Sequence, residues 1–167
     1  FMQRGEVLQA IPMNRHLSSI HPKFYFFTEL GKEIACIFIH RPDVLFEEWL
    51  MWKTKISYQE RILLGYEIAL LFYRLSKLDM AWSLLQKCIN EDIPQIKPSK
   101  RHVLLTKLLS LSYRLQRYVF IPNSLISYVR ILPENEKTKN YFWKRCIRTF
   151  VKNKQWDLAQ QYSANIT

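Results

Sequence analysis

The sequence predicts an all-α chain, a right-handed α-solenoid of helix-turn-helix repeats with a period of about 38–40 residues, and three observations carry that expectation. Only three glycines occur in 167 residues, where the usual ~7% would give about a dozen. A chain relying on tight hairpins needs more of them. The tripeptide Tyr73-Arg74-Leu75 recurs forty residues later as Tyr113-Arg114-Leu115. Leu78-Asp79-Met80-Ala81 is echoed by Trp156-Asp157-Leu158-Ala159, 78 residues on, or twice 39. Two independent echoes with one period mark a structural repeat.

The punctuation of the chain falls where such a repeat needs it. Residues 1–23, with Pro12 and Pro22, read as an irregular lead-in or the end of a preceding repeat. Segments 24–39 and 42–53 make an earlier helix pair within 24–56, with the right spacing but little likeness to the later repeats. The repeat at 57–98 opens with Ser57-Tyr58-Gln59-Glu60, a capping box in which the serine accepts an N3 amide proton and the glutamate bonds back. Its first helix runs to about Leu75, Ser76-Lys77 form a polar turn, and the second helix runs from Leu78 to about Glu91 before Pro94 and Pro98. In the repeat at 99–136, Ser99 caps a helix reaching about Gln116, and Pro122 suits the first position of its partner. In the repeat at 137–167, Thr138 caps a helix to about Lys152, followed by a last helix over 155–165. The broad apolar coverage of Ile62, Leu64, Ile68 and Ala69 suits a helix covered on several sides. Helices this short bury a core only by stacking.

Charge is local. Residues 1–96 carry 11 basic and 11 acidic side chains, whereas 97–154 carry 14 basic ones against Glu134 and Glu136 alone. A net of +12 over that stretch implies a polyanionic partner, or else a solvated cationic face. Glu60, Glu67 and Arg74 are spaced by seven and so share one helix face. Shifting by forty gives Lys100, Lys107 and Arg114, and a further 38 gives Thr138, Arg145 and Lys152, with Lys144 and Arg148 beside them. The outward stripe turns from mixed to positive along the array, as a phosphate-binding ladder would.

Other chemistries find little footing. His16, His21, His40 and His102 are scattered, with no metal-ligand spacing. Cys36, Cys88 and Cys146 are single and odd in number, which predicts buried free thiols in a reducing compartment. Gly5, Gly31 and Gly65 form no phosphate loop, and Glu47-Glu48, being adjacent, do not face one another. No enzyme, cofactor or metal site is expected. The first twenty residues hold no uninterrupted apolar core, and the most apolar stretch is broken by Glu29, Lys32 and Glu33, so neither a secretory signal nor a transmembrane segment is expected. The start at Phe1 and the end within a helical pattern predict a piece of a longer or processed protein. Trp49, Trp52, Trp82, Trp143 and Trp156 read as packing between repeats, with base stacking as the alternative.

With the helix pairs and basic stripe in hand, the segment from Tyr66 to Ser99 resembles a pentatricopeptide repeat. The likeness rests on the opening Leu78-Asp79-Met80-Ala81 of the second helix and the closing Ile96-Lys97-Pro98-Ser99. The family's turn glycine is replaced by Ser76, and about three residues are inserted around Pro94-Gln95. Residues 139–166 resemble another copy through Lys154-Gln155-Trp156-Asp157-Leu158-Ala159, while 101–136 keep the spacing without the alanine. The richness in Lys, Asn, Ile, Tyr and Phe is similar to divergent fungal mitochondrial members. This resemblance implies single-stranded RNA binding along the first helices, in mitochondrial (matrix) transcript stability, processing or translation activation. It implies phosphate contacts from Arg74, Arg114 and Lys152, and base-facing positions at Tyr66, Thr106 and Lys144. The alternative is a scaffold of the tetratricopeptide type that binds an acidic peptide or a ribosomal protein partner, since both share the helix-pair architecture.

Overall fold

The computed structural model describes His16 and residues 40–118, 122–132 and 136–166. Among these residues it is all-helical, with seven α-helices and no strand. They fall into two compact units divided between Ile96 and Lys97. The expected helix over 24–39, and Cys36 with it, lies outside the described residues.

In the first unit, α1 (Pro42–Met51) starts on Pro42, whose fixed φ suits a first helical turn, and runs into a short 3-10 turn at Trp52–Thr54. Helix α2 (Tyr58–Arg74) opens on the capping box expected of Ser57 and Glu60. The Ser57 amide donates to Glu60 Oε2 at 2.8 Å, and the Glu60 amide donates to Ser57 Oγ at 3.3 Å. The helix buries Ile62, Leu64, Ile68, Ala69 and Phe72, each worth about 1.5–3 kcal/mol for the larger apolar side chains. Helix α3 (Leu78–Lys87) is amphipathic, burying Ala81, Trp82, Leu84 and Leu85.

Continuous α-helix to about Glu91 was the expectation here. Instead α3 widens into a π turn at Cys88–Asp92 and closes with a 3-10 turn at Ile93–Gln95. The widening has a purpose in packing, because it puts Asp92 in the core against Arg61. Arg61 Nε donates to both Asp92 carboxylate oxygens at 2.9 and 3.1 Å, and Nη1 donates to the Trp49 carbonyl at 2.7 Å. The guanidinium lies 3.6 Å from the Trp49 ring centroid, and the Trp49 indole N–H donates to the Arg61 carbonyl. A single buried arginine thus ties α1, α2 and the π turn together. Gly65 sits where the chain packs closely, since a Cβ there would lie 2.6 Å from Cys88 Sγ and 3.1 Å from Trp49 Nε1.

The second unit holds α4 (Pro98–Leu115), α5 (Pro122–Ile131), α6 (Glu136–Lys152) and α7 (Trp156–Ser163). Helix α4 begins on Pro98, with Lys97 at the N-cap, so Ser99 lies inside the first turn and is not the cap. Helix α6 likewise begins at Glu136, two residues before Thr138, whose side chain faces α4 instead. Leu104, Leu105, Leu108, Leu109, Leu125, Val129, Phe142 and Phe150 form the core. Tyr162 of α7 stacks on Trp143 with ring centroids 5.3 Å apart. Cys88 and Cys146 are free and buried. Four of the five tryptophans are buried as packing requires, but Trp156 is 61% exposed, which corrects the expectation for that one.

The 78-residue echo has a structural counterpart in the two hairpin turns. Ser76 and Lys154 both take φ of 57°, the left-handed region that favours glycine. The Lys77 amide donates back to Phe72 O at 2.8 Å, and the Gln155 amide to Phe150 O at 2.9 Å. Both turns then hand over to a helix whose first buried residue is alanine, Ala81 or Ala159. This is one helix ending, with a left-handed residue and a six-to-one hydrogen bond, used twice.

Candidate nucleic-acid interface

The basic side chains meet along a seam between α4 and α6. His102 and Thr106 of α4 share a cavity of about 280 Å³ with Lys137, Thr138, Tyr141 and Phe142 of α6. Further along, Tyr113, Gln116 and Arg117 share a cleft of about 440 Å³ with Arg145, Arg148, Thr149, Lys152 and Asn153. Rising positions on α4 therefore meet rising positions on α6, so the two helices run in the same sense.

Tyr113 is the joint of this seam. It lies over Phe142 with ring planes 7° apart and donates its phenol proton to the Phe142 carbonyl at 3.1 Å. Cys146 Sγ lies 3.2 Å from the same phenol oxygen. Either group can be the donor in this second contact. Burial pushes the Cys146 thiol up to about 11, partly opposed by the Tyr113 hydrogen bond and by Arg145. Burial pushes the Tyr113 phenol up as well, with the neighbouring Cys146 adding to it. Both groups are therefore neutral at physiological pH and serve as packing and hydrogen-bonding elements.

Above this neutral floor sits Arg145. Its guanidinium is 4.4 Å from the Tyr113 ring centroid and 5.8 Å from that of Tyr141. Ring faces attract cations, so two aromatic side chains hold the charge at the cleft wall without neutralising it. Arg145, Arg148 and Lys152 occupy successive turns of α6, and Arg117 joins them in the lining from the turn after α4. Among the described residues no carboxylate lines the cleft. Thr149 and Asn153 spend donors on α6 itself, through Thr149 Oγ1 to Arg145 O and Asn153 Nδ2 to Thr149 O. The four cations are the groups left to meet a ligand.

The seven-residue ladders are only partly reproduced. Arg145 and Lys152 of the last one converge in the cleft with Arg148, while Thr138 lines the other cavity. Lys100, Lys107 and Arg114 of α4 do not line the cleft, and Lys100 and Arg114 are exposed. Lys144 is exposed on α6, and Thr106 has its hydroxyl buried without a hydrogen-bond partner beside the smaller cavity. Arg74 and Tyr66 belong to the first unit, Arg74 exposed and Tyr66 half-buried. Glu60 and Glu67, expected on an outward stripe with Arg74, are buried at 8% and 6% exposure. Spacing by seven identifies a shared face but not which face is covered.

Arg117 and Tyr113 were not among the expected site residues. Arg117 lies in the turn after α4, where helical spacing gives no signal. Among the described residues no group of three or more His, Cys, Asp or Glu side chains is placed to hold a metal ion, and no helix is long and apolar enough to cross a membrane. Compared with protein families, with curated proteins and with solved structures, the chain has no match in any of the three.

Proposed function

We propose that this chain is a stretch of pentatricopeptide-like α-solenoid that binds single-stranded RNA along the α4–α6 seam. Its role on this reading is in mitochondrial transcript stability, processing or translation activation. The carrying observation is the convergence of Arg117, Arg145, Arg148 and Lys152 on one cleft with no acidic residue among the described residues of its lining. Among the described residues none of the four pairs with a carboxylate, so their charge is available to phosphate. The repeated turn at Ser76 and Lys154, and the parallel run of α4 and α6, support the solenoid part.

Tyr141 favours RNA over an acidic peptide. Its ring is 55% exposed and lies beside Arg145, and single-stranded nucleic acid is held by aromatic rings next to a cationic track. A peptide carboxylate has no use for the exposed ring. The test is a fluorescence-anisotropy titration of the protein with a mixed-sequence RNA 20-mer and, separately, with a polyglutamate peptide. The expected result is RNA binding at micromolar or tighter concentration that collapses in R145E/R148E/K152E. Binding of the peptide alone, or RNA binding untouched by the triple change, overturns the reading.

A further inference from the structure

The four cations of the cleft line one cavity, whereas Lys100, Lys107 and Arg114 are spread along α4. That difference bears on the ligand. A strand passing along a surface offers one charge per phosphodiester, at successive positions, and suits cations in a row. Four cations lining one cavity of about 440 Å³ repel one another, which favours a ligand that concentrates more than one charge there.

Resting on the RNA reading above, we propose that this cleft binds the terminal phosphate monoester of an RNA strand. A monoester carries a charge of about −1.5 to −2 at neutral pH and three oxygens that no second nucleoside blocks. Three guanidiniums present forked pairs of N–H donors, which match phosphate oxygens two at a time, and Lys152 adds a point charge. Arg145 is held in place by Tyr113 and Tyr141 before any ligand arrives. Arg117 comes from the turn after α4 and the other three from α6, so the phosphate is gripped from two chain segments. Lys100 and Arg114, exposed outside the cleft, remain for the internal phosphates of the same strand.

One RNA oligonucleotide made in three forms tests this: 5′-phosphorylated, 3′-phosphorylated, and hydroxyl at both ends. Each is titrated at fixed salt against wild type, R145Q/R148Q and K100Q/R114Q, with thermal melts to confirm that all three proteins fold. The expected result is about tenfold tighter binding of one phosphorylated form, the scale of one strong charge-assisted contact. That preference disappears in R145Q/R148Q, persists in K100Q/R114Q, and is competed by millimolar inorganic phosphate. Equal affinity for the three forms, with RNA still bound, overturns the end-phosphate proposal and leaves the RNA reading standing. A preference that survives R145Q/R148Q also overturns it. No binding of any form defeats both.

Discussion

The guanidinium of Arg145 lies 4.4 Å over the Tyr113 ring, so the central cation of the cleft is oriented by a neighbour that carries no charge. Tyr113→Leu removes that ring face, for which a cation–π contact is worth about 0.5–1 kcal/mol at partly exposed sites. RNA affinity should fall about two- to fivefold by anisotropy. Tyr113→Phe keeps the face and should retain most of the affinity while losing the bonds to Phe142 and Cys146. An equal loss in both variants would assign the effect to those bonds.

Arg61 and Asp92 form a buried pair, at 1% and 0% side-chain exposure, with a 2.9 Å contact. Breaking it with Asp92→Asn leaves an uncompensated buried charge and should cost about 3–5 kcal/mol in urea unfolding. Replacing both partners, as Arg61→Met with Asp92→Leu, should recover much of that loss. A single change costing under about 1 kcal/mol would show that the guanidinium is rehydrated rather than trapped.

Gly65→Ala puts a methyl group 2.6 Å from Cys88 Sγ, a distance no real Cβ tolerates. Both α2 and the π turn are packed on other sides, so the expected cost is about 1–3 kcal/mol. Cys88→Ala should rescue part of it, giving a favourable coupling in a double-mutant cycle of urea midpoints. Strict additivity would mean that Trp49, 3.1 Å away on the other side, is the obstacle.

The thiols give a pH signature. Burial raises Cys146 from the ordinary 9.0 to about 11, and Cys88 well above its ordinary value. The unfolded chain therefore releases these protons at lower pH than the folded one, and the stability they contribute is full below pH 9 and lost as pH rises toward 11. Urea midpoints should fall over that window, and less so in Cys146→Val. At pH 8, in a Cys36→Ser background, a thiol reagent should modify Cys88 and Cys146 far more slowly than a free cysteine. Fast modification of either would contradict its burial.

What could be read from the chain alone was local. Ser57 and Glu60 form their capping box because both partners lie within one turn, and the likeness of 78–81 to 156–159 extends to the turn geometry before each. A polar turn at Ser76-Lys77 was legible, but its left-handed backbone was not. The π turn was not legible, because its role depends on Asp92 reaching Arg61 31 positions earlier. The same limit hid the true faces of Glu60 and Glu67, and it hid Arg117, whose place in the cleft follows from the register of α4 against α6. Periodicity places residues on a helix; packing decides which of them meet.

The slope of log affinity against log salt for single-stranded RNA tests the central claim most directly. Each phosphate contact adds about 0.7 to that slope for single strands. On this account R145Q/R148Q/K152Q flattens it by about 2 relative to wild type, the weight of three lost contacts. A triple variant whose slope matches wild type would place the phosphate contacts elsewhere and contradict the account.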